Sequence, residues 1–265
     1  MPMSKPARGR RSVATKTAND RRDLARIAVI ADIHGNLTAL DAVIADLTGV
    51  GVDRVVCLGD VAAIGPQPHE VIVRLRELGC PVVLGNTDAA ALRSVRLSPS
   101  DEEGRRFFAI EEWGAARLTP EDLTYLGAFQ PTLTLPLGDV ATLLCFHGSP
   151  HSNTDSIIAT TPDTALARML DGHSATVLAG GHTHAPFIRR YRQALFLNPG
   201  SVGLPYEETA EGIRHPSWAE YGIVAWRAGG LRIDLRRVPI DADLVVQAVL
   251  RSGMPHAEWL ASGWR

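Results

Sequence analysis

The sequence predicts an α/β fold: one compact domain carrying two sheets. Three observations lead there. Short β-branched apolar runs alternate with amphipathic stretches between residues 26 and 84, strand-like runs dominate the second half, and the runs end in polar turns that carry glycine. A strand–helix–strand–helix–strand order implies right-handed crossovers and a mainly parallel sheet covered by helices.

The elements follow in order. Arg26 to Ala31 (RIAVIA) reads as a buried strand ended by Asp32. Over 37–47, Leu37, Leu40, Ile44 and Leu47 share one helical face, with Gly49 and Gly51 as stops. Arg54 to Leu58 (RVVCL) is a second strand, ended by Gly59-Asp60. A second helix has Pro68 in its first turn, Val71, Leu75 and Leu78 on its buried face, and Gly79 at its end. Pro81 to Leu84 (PVVL) is a third strand, ended by Gly85-Asn86. Residues 87–130 read as mostly helical, and Thr119-Pro120-Glu121-Asp122 has the form of an N-cap, a proline at N1 and acids in the first turn. Further strands are expected at 141–146, 175–179, 194–197, 221–226 and 231–238, with helices from Thr161-Pro162 to Leu170 and near 241–252.

Composition sets limits on function. The chain has 265 residues, 45% hydrophobic and 21% charged, values of an ordinary globular domain. No apolar run approaches the ~18 residues of a membrane helix, and the first residues carry no apolar stretch before a small-residue cleavage site, so no secretory signal is expected. Three scattered cysteines, Cys57, Cys80 and Cys145, argue for a reducing, cytoplasmic setting rather than a disulfide framework. The net charge of −2 hides an asymmetry. Residues 1–22 hold seven basic groups and one acid, leaving 20 basic and 28 acidic residues in the remainder. Residues 1–23 are therefore expected to be a basic disordered tail and 24–265 a single domain. An acidic body is not built for a stable nucleic-acid complex.

Five short motifs recur at strand ends: Asp32-Ile33-His34-Gly35-Asn36, Gly59-Asp60, Gly85-Asn86-Thr87-Asp88, His147-Gly148 and Gly181-His182-Thr183-His184. Carboxylates mixed with imidazoles suit Mn, Fe, Zn, Co or Ni better than Ca or Mg, which prefer oxygen alone. Residues two apart, such as Asp32/His34 and His182/His184, point the same way in extended backbone. Each motif alone has a plain structural reading: Gly-Asp is a turn signal, Asn86 a turn residue, His147 a satisfied core histidine. Their ordered recurrence at successive strand ends has no such reading.

The set D-x-H, G-D, G-N-[HD], H and G-H-x-H, spread over residues 26–200, resembles the calcineurin-like metallophosphoesterase superfamily. The strings DIHGNLTALDAVI, CLGDVAAIGPQPHE, FHGSP and FLNPGSVGLP are similar to its compact, microbial phosphodiesterase-like branch. The resemblance implies a four-layer α/β/β/α sandwich of two mixed sheets flanked by helices, with two divalent metal ions at one edge of the sheets, Mn first for activity, with Fe, Zn, Ni or Co as further candidates. It implies that Asp32, His34 and His184 hold one metal, that Asn86, His147 and His182 hold the other, and that Asp60 bridges them. It further implies in-line attack by a metal-bridging hydroxide, with Asp60 central to catalysis and a small phosphoester, foremost a nucleotide-type phosphodiester, as substrate. Many family members read GNH where this chain has Thr87, and that histidine is the family's general acid. A threonine hydroxyl is too weak an acid for that role. Three explanations stay open: a good leaving group, a slow enzyme, or a proton from His151 in the HGSPHS loop.

Secondary assignments complete the reading. Asp88 is expected to orient a ligand histidine. Asn36 either caps the first helix or binds substrate. The Asn198-Pro199-Gly200-Ser201 loop, with Ser201, either grips phosphate through backbone N–H groups or is a plain turn. Residues 88–130 are a candidate helical lid. Alternatives on the same site are a dinucleoside polyphosphate hydrolase and a phosphomonoesterase or protein phosphatase; Arg93 and Arg96 match the phosphate-gripping arginines of those branches poorly. A protein-interaction module on this fold is the remaining alternative, and the strands at 221–238 are a candidate edge for a homo-oligomer.

Overall fold

A computed structural model describes residues 25–93, 99–210, 212–227 and 230–264. The expected basic tail at 1–23 and Arg96 lie outside the described residues. The strands are β1 (Ala25–Ile30), β2 (Arg54–Cys57), β3 (Thr132–Leu137), β4 (Ala141–Phe146), β5 (Val177–Ala179), β6 (Phe187–Tyr191), β7 (Ala194–Asn198), β8 (Glu207–Thr209), β9 (Gly212–Arg214), β10 (Trp218–Arg227) and β11 (Gly230–Pro239). The helices are α1 (Leu37–Val50), α2 (Pro68–Leu78), α3 (Asn86–Ala91), α4 (Glu102–Ala115), α5 (Pro120–Gly127), α6 (Asp163–Met169), α7 (Ala242–Arg251) and α8 (Ala257–Ser262).

Two large sheets form, in the orders β11-β10-β1-β2 and β3-β4-β5-β7-β6. Both are mixed. In the first, β1 runs parallel to β2, as the strand–helix–strand order predicts, and antiparallel to β10, because the C-terminal hairpin β10–β11 supplies half of the sheet. The stretch Pro81–Leu84 joins no named strand and makes only isolated bridges, Cys57 to Val82 and Val83 to Gln130. Strands β3 and β6 and the small β8–β9 hairpin were not foreseen.

Side-chain alternation along β1 builds the layers. Ala28 and Ile30 face Leu40, Val43 and Leu47 of α1 and Val71, Ile72 and Leu75 of α2. Ile27, Val29 and Ala31 face the other sheet, where Leu143, Cys145, Val177, Ala179 and Leu197 meet them. On that sheet's outer side, Leu144, Phe146, Leu178 and Phe196 pack against Leu166 and Leu170 of the α6 segment. The result is a four-layer α/β/β/α sandwich. Each fully buried Leu, Ile or Phe contributes roughly 1.5–3 kcal/mol. A fourth cluster joins Ile64, Ile110 of α4, Leu204, Val245 and Val249 of α7, and Leu260 of α8 beside the strand ends.

The helix boundaries have local causes. Asn36 Oδ1 accepts from Ala39 N–H at the start of α1, and Gly51, at φ 69°, ends it. Pro68 opens α2 and Gly79, at φ 65°, closes it. Thr119 and Asp122 form a reciprocal capping box at the start of α5. Among the described residues, no helix is long and apolar enough to cross a membrane.

Candidate metal centre

The turns after β1, β2 and β4, the start of α3 and the turn after β5 converge at one edge of the sandwich. Asp32, His34 and His184 offer ligand atoms within 4.8 Å of one another, and so do Asp60, His147 and His182. The turn backbone differs from the expectation. Asp32, His34, Asp60, His182 and His184 all have positive φ, between 47° and 68°. The pairs two apart therefore share a target because the chain curls through left-handed turns, and extended backbone is not involved. Non-glycine residues in this region are uncommon and persist where the surroundings hold them, which is typical of functional turns. The hold is visible here: Asp32 N–H donates to Gly59 O, His34 N–H to Asp60 O and Gly35 N–H to Val61 O. The turns also touch so closely that a Cβ on Gly203 would lie 1.7 Å from Ile33 O, and one on Gly65 1.9 Å from His34 O.

The histidine tautomers follow from their partners. Nδ1–H of His147 donates to Leu58 O at 2.8 Å, that of His184 to Leu204 O at 2.8 Å, and that of His34 to Ala63 O at 3.2 Å. Carbonyls only accept, so in the neutral ring each Nε2 presents a lone pair to the site. Nε2 of His34 and Nε2 of His184 are 3.0 Å apart. The end of the Asn86 amide that faces the site lies 2.9 Å from both His147 Nε2 and His182 Nδ1, and 3.3 Å from Asp60 Oδ2. Asp32 Oδ2 accepts from His182 N–H, while its buried Oδ1 has no partner. Asp60 Oδ1 accepts from Thr87 N–H; its Oδ2 lies 3.8 Å from His34 Nε2 and 3.5 Å from His147 Nε2. Acceptors this close, several buried, fit divalent cations with nitrogen and oxygen ligands.

Among the protein groups alone, charge and burial compete. Burial lowers His34 to about 4, reinforced by His184. Burial would also lower His147, but the Asp60 and Asp32 carboxylates outweigh it and bring the imidazole up to about 9. Burial and the adjacent Asp60 push the Asp88 carboxyl up to about 7, against the N–H groups it accepts.

The structure gives the four remaining candidates their partners. Asp88 orients no histidine: its carboxylate accepts from the backbone N–H of Asp60, Val61 and Gly85, and so fixes two ligand turns against each other. Asn36 takes the cap reading: its oxygen caps α1 and its Nδ2 donates to Gly203 O. Ser201 Oγ donates to Asp32 O at 2.7 Å and accepts from Leu204 N–H at 2.8 Å. In its loop, Gly200, Val202 and Gly203 N–H are spent on Asn198 Oδ1, Ala31 O and Asp32 O. His151 is drawn away, with Nε2 at 2.8 Å from Asp171 O and its ring against His173.

The ligands lie in a cleft of about 760 Å³, whose far side is α4 and α8 with the β8–β9 hairpin. Arg106, Phe107, Tyr206, His215 and Trp259 line it, and the sequence reading missed all five. Their one signal was the aromatic content of the C-terminal stretch. His215 ties that stretch down: its Nδ1–H donates to Pro205 O, its N–H to Gly263 O, and its ring lies 4.3 Å from that of Trp264.

A four-layer sandwich with two groups of carboxylate and imidazole ligands at its strand ends defines a metal-dependent hydrolase. The model of the calcineurin-like phosphoesterase superfamily domain matches residues 25–214. The chain belongs to that superfamily and is a metal-dependent phosphoesterase. It is similar to the metallophosphoesterase of Sphaerobacter thermophilus, at 25% identity and TM-score 0.70 over 90% of this chain and 99% of that one. An uncharacterised protein of Methanocaldococcus jannaschii is 27% identical over 88% of this chain and 95% of its own length. A hypothetical protein of Pyrococcus horikoshii shares the fold, at TM-score 0.76 and 20% identity over 91% and 98% of the two chains.

Proposed function

We propose that the protein is a dinuclear-metal phosphodiesterase acting on nucleotides or similar small phosphodiesters, with Mn²⁺ as its active metal. The observation that carries this reading is the pairing of two ligand groups around one carboxylate oxygen, Asp60 Oδ2, at the head of a cleft wide enough for a small organic ligand. Asp32, His34 and His184 would hold one cation, Asn86, His147 and His182 the other, and Asp60 would touch both. When bound, such a pair supplies Lewis-acid charge at phosphorus and acidifies water.

The chain's own residues do the positioning. Backbone N–H of Thr87 holds Asp60 Oδ1, so Oδ2 keeps one direction. Carbonyls of Leu58, Ala63 and Leu204 keep three imidazoles turned lone-pair inward. Water adds at phosphorus and the opposite ester P–O bond breaks. The departing oxygen meets no acid at Thr87 and none at His151, which faces Asp171. This supports diesters whose leaving oxygen departs readily as an anion, such as aryl oxides. The three cysteines Cys57, Cys80 and Cys145 are all free thiols, which suits a cytoplasmic setting.

The test is hydrolysis of bis-p-nitrophenyl phosphate against p-nitrophenyl phosphate, with chelator-stripped protein and Mn²⁺ added back. Metal-dependent turnover favouring the diester is expected. Turnover of the monoester alone would replace this reading with a phosphomonoesterase.

A further inference from the structure

Opposite the ligands, the cleft wall combines aromatic rings with carboxylates. Phe107 of α4 meets Trp259 of α8 edge-to-face, with centroids 5.0 Å apart. The Arg106 guanidinium lies over the Trp259 ring at 5.4 Å and pairs with Glu102. Glu102 and Glu103 line the same cleft. Thr87 also lines it; the residue is 5% exposed and its hydroxyl has no hydrogen-bond partner.

From this geometry we infer that the α4–α8 wall is a subsite for one flat, uncharged, ring-bearing arm of a diester, and that it selects nucleoside-type diesters with a single phosphate over dinucleoside polyphosphates. The argument rests on the phosphodiesterase reading and adds the substrate class. Indole and phenyl faces accept a planar base whatever its hydrogen-bond pattern. The carboxylates repel a chain of further phosphates and accept from hydroxyl or amino groups. With Arg106 already paired to Glu102, the wall offers polyphosphate no compensating fork.

The experiment compares three substrates on the full chain loaded with Mn²⁺: thymidine 5′-(p-nitrophenyl phosphate), methyl p-nitrophenyl phosphate and diadenosine tetraphosphate. The first two lose the same nitrophenolate and differ only in the retained arm. The nucleoside diester is expected to exceed the methyl diester in kcat/KM by about tenfold, the size of one base–aromatic stack. Trp259→Leu should collapse that ratio and Trp259→Phe should largely restore it, with melting temperature and metal content checked on both. Glu102→Gln with Glu103→Gln should raise tetraphosphate turnover relative to the nucleoside diester by about threefold or more. Quenching of tryptophan fluorescence by thymidine 5′-monophosphate should weaken in Trp259→Leu. A nucleoside-to-methyl ratio near one, a ratio indifferent to Trp259, or tetraphosphate as the best substrate overturns the inference while leaving a phosphoesterase standing. Failure of both diesters beside turnover of p-nitrophenyl phosphate sinks the phosphodiesterase reading itself, and the inference with it.

Discussion

His34 and His184 face each other Nε2 to Nε2 at 3.0 Å, each with its Nδ1–H already given to a main-chain carbonyl. Two lone pairs at that distance repel unless something positive lies between or beside them. Beside them, Asp32 Oδ1 is 3.5 Å from His184 Nε2 and has no hydrogen bond of its own. The fold thus brings together acceptors that positive charge balances. Divalent cations supply it, and this gives the first prediction. At about 100 times its dissociation constant, a metal that binds only the folded chain adds about 2.7 kcal/mol. Melts of chelator-stripped protein, with and without Mn²⁺, should therefore differ by about 5–10 °C for a domain of this size. Identical melting temperatures would mean that the site does not hold metal in solution.

Asp60 is the second case. Its Oδ2 is within 4 Å of one histidine from each ligand group, 3.8 Å from His34 and 3.5 Å from His147. Asp60→Asn keeps the size of the side chain but removes its charge and turns half of it into a donor. Turnover is expected to fall by about 10³-fold or more, since several kcal/mol of charge stabilisation go with the cations. Metal content by emission spectroscopy should fall at both positions together. Loss of one equivalent with the other retained would show that Asp60 serves only one ion.

Much of this centre was readable in the sequence, because a ligand triplet that follows an apolar strand can only sit at a strand end. The β1, β2, β4 and β5 runs placed Asp32, Asp60, His147 and His182 at one edge before any coordinates. The turns themselves were not readable. Asp32 and His34 have the spacing of alternating strand residues, and nothing in their side chains announces φ values of 55° and 47°. Those values are imposed by long-range bonds, such as Asp32 N–H to Gly59 O, which no local pattern encodes. The same holds for Ser201 and Asn36: both have the chemistry of ligand-binding residues, and both are spent inside the protein on Asp32 O and Gly203 O. The cleft wall was opaque for a different reason. Phe107 and Trp259 are more than 150 residues apart and have no motif, so only the fold shows that they meet.

Away from the centre, Asp46 of α1 clamps the helix to the C-terminal hairpin. Tyr221 Oη donates to its carboxylate at 2.6 Å, and Arg236 donates through Nε and Nη2 at 3.1 and 3.2 Å. Partial burial works to raise the carboxyl, but the bonds from Tyr221 and Arg236 outweigh it and hold Asp46 below its ordinary value. A carboxyl lowered in the folded state contributes stability that is present above its unfolded value, near about 4, and lost as pH falls through the folded one. Asp46→Asn should cost about 1 kcal/mol at pH 7, the group being partly solvated. Urea midpoints of the two proteins should converge as pH drops from about 5 to 3, once the wild-type carboxyl is protonated in both states. A gap that stays constant with pH would mean that the clamp acts through packing, not charge.

Ser201 separates a structural role from a substrate-binding one. Its Oγ is buried, donating to Asp32 O and accepting from Leu204 N–H. Leu204 O in turn receives Nδ1–H of His184. One hydroxyl therefore braces Asp32 at its carbonyl and, through Leu204, His184 at its ring, two ligands of the same group, while His147 is held through Leu58 and Asp60 through Thr87. Ser201→Ala leaves a buried N–H without an acceptor, which costs about 1–3 kcal/mol. Loosening of outer supports typically lowers metal affinity about 10–100-fold. The loss should fall on one equivalent: titration with Mn²⁺ should show two unequal sites, the tight one close to wild type. At saturating metal, KM for a diester should stay within about twofold of wild type, because no substrate contact has been removed. A large rise in KM at saturating metal with both sites intact would return Ser201 to the substrate side of the cleft.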